Sequence, residues 1–107
     1  MIEHTIKVIT LRRGRYKKKR KVIRFEDPYY KLVGVFLNSE ATMFRSQIAS
    51  AFKMAEETGE GFFAGNLMTL VIQDGTAVIS SQLDAESEPV SLPAEELKAL
   101  LNEWYSN

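Results

Sequence analysis

The apolar positions near the start of the chain fall in two strand-like stretches. Thr5 to Arg13 (TIKVITLRR) and Lys21 to Phe25 (KVIRF) are rich in β-branched residues, with Gly14 and a run of lysines between them. They predict two strands of a hairpin with a basic tip. Pro28 ends the second strand, and Tyr29 to Leu37 (YYKLVGVFL) is apolar on both alternating faces. That pattern predicts an inner strand covered on both sides, with Gly34 as a bulge. From Glu40 the period lengthens to about 3.6. Ala41, Phe44, Ile48, Ala51, Phe52 and Ala55 fall on one stripe, while Arg45, Gln47, Lys53, Glu56 and Glu57 fall elsewhere. An amphipathic helix from Glu40 to Thr58 is expected, capped by Asn38 or Ser39 and stopped by a left-handed Gly59.

GEGFFAG, Gly59 to Gly65, lacks the glycine spacing that cradles phosphate and reads as a connection, with Phe62 and Phe63 as core anchors. Asn66 to Leu83 is a second hairpin, because Asp74-Gly75 is a pair favoured in a two-residue type I′ turn. That turn sets Ile72 against Ala77 and Leu70 against Ile79, so Met68, Leu70, Ile72, Ala77 and Ile79 share one face. Thr69, Val71, Gln73, Thr76, Val78 and Ser80 form the other, partly solvated face. An acidic loop (DAESEPV) precedes SLPAEELKALLNEW, which starts a helix with Pro93 near its first turn. Leu97, Leu100, Leu101 and Trp104 make its core-facing stripe. The order β-β-β-α-β-β-α describes a single α+β domain over residues 1–107, with a mainly antiparallel sheet of about five strands and two amphipathic helices.

Composition narrows the chemistry. A chain of 107 residues with 45% hydrophobic content holds one core and leaves no room for a second catalytic domain. With no cysteine there is no disulfide framework, thiolate nucleophile or zinc knuckle. The single histidine, His4, disfavours multi-histidine metal sites and histidine-based triads, and reads as an exposed strand residue. The longest charge-free apolar stretch, LVGVFL, is far shorter than the roughly 20 residues of a spanning helix. The amino terminus lacks the pattern of a signal peptide, so a cytoplasmic protein is expected.

Charge changes the picture most. The net charge is zero, yet eleven of the fourteen Lys and Arg residues lie between Met1 and Lys31. Eight of them occupy RRGRYKKKRK: Arg12, Arg13, Arg15, Lys17, Lys18, Lys19, Arg20 and Lys21 surround Gly14 and Tyr16. Set against the carboxylates, the first thirty-one residues carry +8 and the remainder −8. Such segregation points to a macromolecular partner, since a basic run grips phosphates or an acidic protein, and an acidic half can imitate phosphates. Tyr16 is placed to stack on a base. The bland alternative is a solvated turn whose lysines protect strand edges from aggregation.

Asp84, Glu86 and Glu88 stand at alternate positions and share one side of an extended segment. A calcium loop needs more oxygen ligands and usually a glycine at its bend, so a solvated or partner-facing patch is expected, with no metal and no cofactor. Glu95 and Glu96 suit the first turn of a helix. No pair of carboxylates stands out for glycoside chemistry, and the chain is read as non-enzymatic.

The closing stretch AGNLMTLVIQDGTAVISSQLDAESEPVSLPAEELKALLNEWYSN, a hairpin, an acidic connection and a helix ending near an aromatic residue, resembles the closing half of a known family. These are the small bacterial immunity proteins encoded beside polymorphic or contact-dependent growth inhibition toxins. The resemblance covers Ala64 to Asn107. It implies a non-enzymatic inhibitor that binds one protein toxin, often a nuclease, and blocks its active site or substrate groove. On that reading Asp84, Glu86 and Glu88 contact a basic toxin surface and Arg12 to Lys21 an acidic one. The alternative from the residues alone is a small nucleic-acid-binding protein using the basic hairpin Arg12 to Lys21.

Overall fold

The computed structural model describes residues 2–84 and 86–106. β1 (His4–Arg13) and β2 (Tyr16–Phe25) pair antiparallel along their whole length, from His4 opposite Phe25 to Arg13 opposite Tyr16. Gly14, at φ 61°, takes the first place of the two-residue loop, as a type II′ turn requires. The basic run therefore lies mostly within the strands, and the expected loop of lysines shrinks to Gly14 and Arg15.

Beyond Phe25 the expected inner strand is absent. Asp27 caps a 3-10 turn (Pro28–Tyr30) by accepting from the Tyr29 N–H, with Pro28 at its first position. Helix α1 (Lys31–Phe36) follows and runs into a π-helical segment (Leu37–Ala41). Val33, Phe36, Leu37, Glu40 and Ala41 are all buried, at the i, i+3, i+4, i+7, i+8 spacing of one helical face. An unbroken apolar run fits a buried strand and a buried helix equally by periodicity, and here the helix wins. Gly34 is no bulge. It faces β2, where a Cβ would make ordinary van der Waals contact at 3.5 Å with the Ile23 and Phe25 side chains.

Helix α2 (Arg45–Thr58) starts five residues later than the expected Glu40, and Asn38 and Ser39 lie inside the π segment instead of capping it. Ser39 Oγ donates back to the Val35 carbonyl at 2.8 Å. The predicted stripe holds: Ala41, Ile48, Ala51 and Phe52 are buried, and Phe44 and Ala55 pack against them. Gly59 closes α2 at φ 89°, its N–H donating to the Ala55 carbonyl.

The rest is a four-stranded antiparallel meander, β3 (Glu60–Ala64), β4 (Met68–Gln73), β5 (Thr76–Ser81) and β6 (Val90–Pro93), and then α3 (Ala94–Ser106). Asp74 and Gly75 both have positive φ, and Ile72 pairs with Ala77 and Leu70 with Ile79, as the Asp-Gly turn predicts. Met68, Leu70, Ile72, Ala77 and Ile79 are buried beneath the helices, together with Leu97, Leu100, Leu101 and Trp104 of α3. Two strands were unforeseen. GEGFFAG supplies β3, where Gly61 and Phe63 turn inward, so alternation drives Phe62 outward to 61% exposure and it is no core anchor. Val90–Pro93 forms a short edge strand, so Pro93 ends β6 directly before α3 begins at Ala94. The architecture is α+β, in two antiparallel sheets of two and four strands with three α-helices.

Among the described residues, no helix is long and apolar enough to cross a membrane.

Candidate functional site: the basic arm

Every residue from Lys7 to Arg20 is exposed, so β1 and β2 stand out from the body as an arm. At about 3.4 Å per residue a ten-residue strand spans some 34 Å, which accounts for the molecule's elongated dimensions of 51 × 28 × 27 Å. From His4 to Phe25 the sequence holds ten Lys and Arg and no carboxylate.

Register decides how those cations are arranged. Lys7 lies opposite Val22, Ile9 opposite Arg20, Thr10 opposite Lys19, Leu11 opposite Lys18, and Arg13 opposite Tyr16. Only Arg12 and Lys17 set two cations directly across the ribbon. Like charges facing each other destabilise a strand pair, so this staggering lets a heavily charged ribbon keep its pairing. Val8, Ile9, Leu11 and Val22 are exposed apolar residues interspersed among the cations of the ribbon.

The root of the arm is fastened to the end of α3. Lys21 Nζ donates to the Trp104 carbonyl and stands 5.0 Å from the centroid of the Trp104 ring. That carbonyl is among the last four of the helix, which have no partner within it, and the cation also complements the negative end of the helix dipole. From β1, His4 Nε2 meets Glu103 Oε2 at 2.5 Å while Nδ1 meets the Ile2 carbonyl at 2.7 Å. Ile6, Ile23 and Phe25 complete the junction against the core.

Both His4 ring nitrogens face acceptors, and only the imidazolium can donate from both. Burial pulls the His4 pKa down, but the Ile2 carbonyl and the Glu103 carboxylate outweigh it, and the net position lies above the ordinary histidine value. A folded pKa above the unfolded one gives stability that is full below the unfolded pKa and is lost as pH rises through the folded one. Raising pH from 6 to 8.5 is therefore expected to remove a stabilisation of at most about 1 kcal/mol, since Glu103 is half exposed and screened. Urea midpoints across that range should fall more in the parent chain than in His4→Gln, and parallel curves would refute the coupling.

The sequence-predicted residues thus separate into two groups. Arg12, Arg13, Arg15, Tyr16, Lys17, Lys18, Lys19 and Arg20 come together on the exposed arm, and Lys21 sits at its half-buried root. Asp84, Glu86 and Glu88 are exposed on the β5–β6 connection. That connection enters β6 at Val90, whereas the arm's base lines a cleft with Pro93 and Glu96 at the other end. The Asp84 carboxylate accepts from the Glu86 N–H at 3.0 Å, a local turn contact. Among the described residues no three His, Asp or Glu side chains converge as metal ligands would. Their ion pairs include His4–Glu103 and Lys98–Glu56, and neither involves a Lys or Arg of the exposed stretch Lys7 to Arg20.

One residue of consequence was missed from sequence. Glu40 is fully buried, and it accepts from three successive backbone N–H groups at the β3–β4 turn: Asn66 at 3.2 Å, Leu67 at 2.6 Å and Met68 at 3.0 Å. The signal was its place on the buried stripe of Val33, Phe36, Leu37 and Ala41, where a carboxylate must find donors.

No protein-family model, curated protein or solved structure matches the chain.

Proposed function

We propose that this chain is a non-enzymatic binding protein that grips nucleic acid with the β1–β2 arm. One observation carries the reading: eight Lys and Arg with no carboxylate stand on the exposed ribbon from Lys7 to Arg20. Self-repulsion on that scale serves solubility poorly, because the rest of the chain carries a net negative charge that cancels it to zero overall. It serves a polyanion well, since each phosphate contact releases condensed counterions.

The test is anisotropy titration of labelled oligonucleotides between 50 and 200 mM salt. Six or more phosphate contacts predict an affinity loss of about a thousandfold or greater over that range. Replacing Lys17, Lys18, Lys19 and Arg20 together by Gln should abolish binding at the higher salt. Affinity indifferent to salt, or unchanged in the quadruple variant, would sink the proposal.

A second reading, a toxin-binding immunity protein, is supported by the exposed carboxylates Asp84, Glu86 and Glu88 on a body that is acidic overall. It expects a single protein to co-purify after nuclease treatment. It also expects charge reversal of the acidic connection and the arm to weaken that complex, and an undiminished complex would refute it.

A further inference from the structure

We infer that the ligand of the arm is duplex DNA, and that the ribbon enters the major groove edge-on with one face towards each phosphate wall. The inference rests on the nucleic-acid reading and adds the form of the ligand.

Strand alternation and the β1–β2 register divide the distal cations evenly. Arg12, Lys17 and Lys19 share one face of the ribbon, and Arg13, Lys18 and Arg20 share the other. A ligand with a single flat anionic surface, such as an acidic protein patch, would meet one face and leave the opposite three cations in water. A groove presents phosphates on both sides. The B-form major groove is about 12 Å wide and admits a two-stranded ribbon. The exposed part of the arm, Lys7 to Arg20, is about 24 Å long at 3.4 Å per residue, enough to follow the groove instead of merely touching its rim.

The same features argue against the other forms. Single strands are held on aromatic platforms that stack successive bases. The exposed arm has one aromatic residue, Tyr16, at 71% exposure. A-form RNA has a deep, narrow major groove that protein elements do not enter. A second copy of the arm is excluded as an occupant by charge, since either face would set cations against cations.

The experiment measures salt-dependent binding of three probes of equal length and sequence, duplex DNA, single-stranded DNA and duplex RNA. The proteins are the full chain and two variants, Arg12→Gln/Lys17→Gln/Lys19→Gln and Arg13→Gln/Lys18→Gln/Arg20→Gln. Duplex DNA should bind tightest to the parent. Each triple variant should lower the slope of log affinity against log salt by up to about 2.7, the value for three lost phosphate contacts. The substitutions lie on the exposed arm, so far-ultraviolet circular dichroism should show an unchanged body. A full loss from one face with none from the other overturns the groove placement. Single-stranded DNA or duplex RNA binding as tightly as duplex DNA overturns the choice of ligand. If no probe binds at 50 mM salt, the nucleic-acid reading itself fails and takes this inference with it.

Discussion

Glu40→Ala is expected to destabilise the fold by roughly 3–5 kcal/mol, through loss of a buried acceptor for several backbone donors. The carboxylate bridges two parts of the chain that are distant in sequence. It hangs from the π-helical segment between α1 and α2, and receives the N–H groups of Asn66, Leu67 and Met68 where β3 turns into β4. Successive N–H groups aimed at one point form a small anion nest, filled here by the protein's own side chain. Truncation to Ala removes the acceptor and leaves a void. Water can reach Asn66 and Leu67, which are not fully buried, but Met68 is buried and its N–H would be stranded. Glu40→Gln tests the chemistry apart from the volume. Its carbonyl can still accept from Leu67 and Met68, while its amide would confront the Asn66 N–H, so a smaller loss of about 1–2 kcal/mol is expected. Urea denaturation of the three proteins decides it. A cost below 1 kcal/mol for Glu40→Ala would show that water replaces the carboxylate and that the bridge contributes little.

The Glu40 bridge shows where sequence reading stops. Periodicity finds the buried stripe of α2 and places Glu40 next to it, but the donors that make an acid tolerable there lie some 26 residues away in the chain. The Asp-Gly hairpin was fully legible because turn chemistry and alternation agree within a few residues. Tyr29 to Leu37 carries no period that separates a buried strand from a buried helix, because both alternating faces of the run are apolar. The local cue for a helix was Asp27-Pro28, a cap followed by proline at the first helical position, with the stripe Val33, Phe36, Leu37 behind it. β3 and β6 carry mixed signals, since Phe62, Phe63 and Val90 favour a strand while Gly61 and Pro93 oppose it. Pairing with β4 and β5 makes them strands.

The basic run was legible as charge and only partly as a site. Composition locates the cations and the Gly14 turn joins their strands. The two-faced division of charge follows only once the register is known, with Arg12 opposite Lys17 and Arg13 opposite Tyr16. The fastening of the arm to α3 has no local signature at all, since His4 and Glu103 lie at opposite ends of the chain.

Gly61→Ala is expected to lose at least about 3 kcal/mol, the upper range for overpacking, because the obstruction is backbone and cannot rotate away. A Cβ at this position of β3 would stand 1.9 Å from the Ala51 carbonyl oxygen and 2.9 Å from its carbon. It would also lie 3.2 Å from the Ala55 Cβ. Strand β3 lies directly on α2 here, so relief requires the strand to lift from the helix, which would draw Phe63 out of the core and disturb the pairing of Gly61 with Ile72. If the Ala55 side chain were the obstacle, Ala55→Gly would rescue the variant. The geometry assigns the main clash to the Ala51 carbonyl, which no substitution at position 51 removes, so Gly61→Ala/Ala55→Gly should remain as unstable as Gly61→Ala or fall further from the added helix glycine. Thermal and urea unfolding of the parent, both single variants and the double variant would decide between the two. Rescue by Ala55→Gly would mean that β3 can slide along α2, and that the close approach at Gly61 is set by side-chain packing instead of backbone contact.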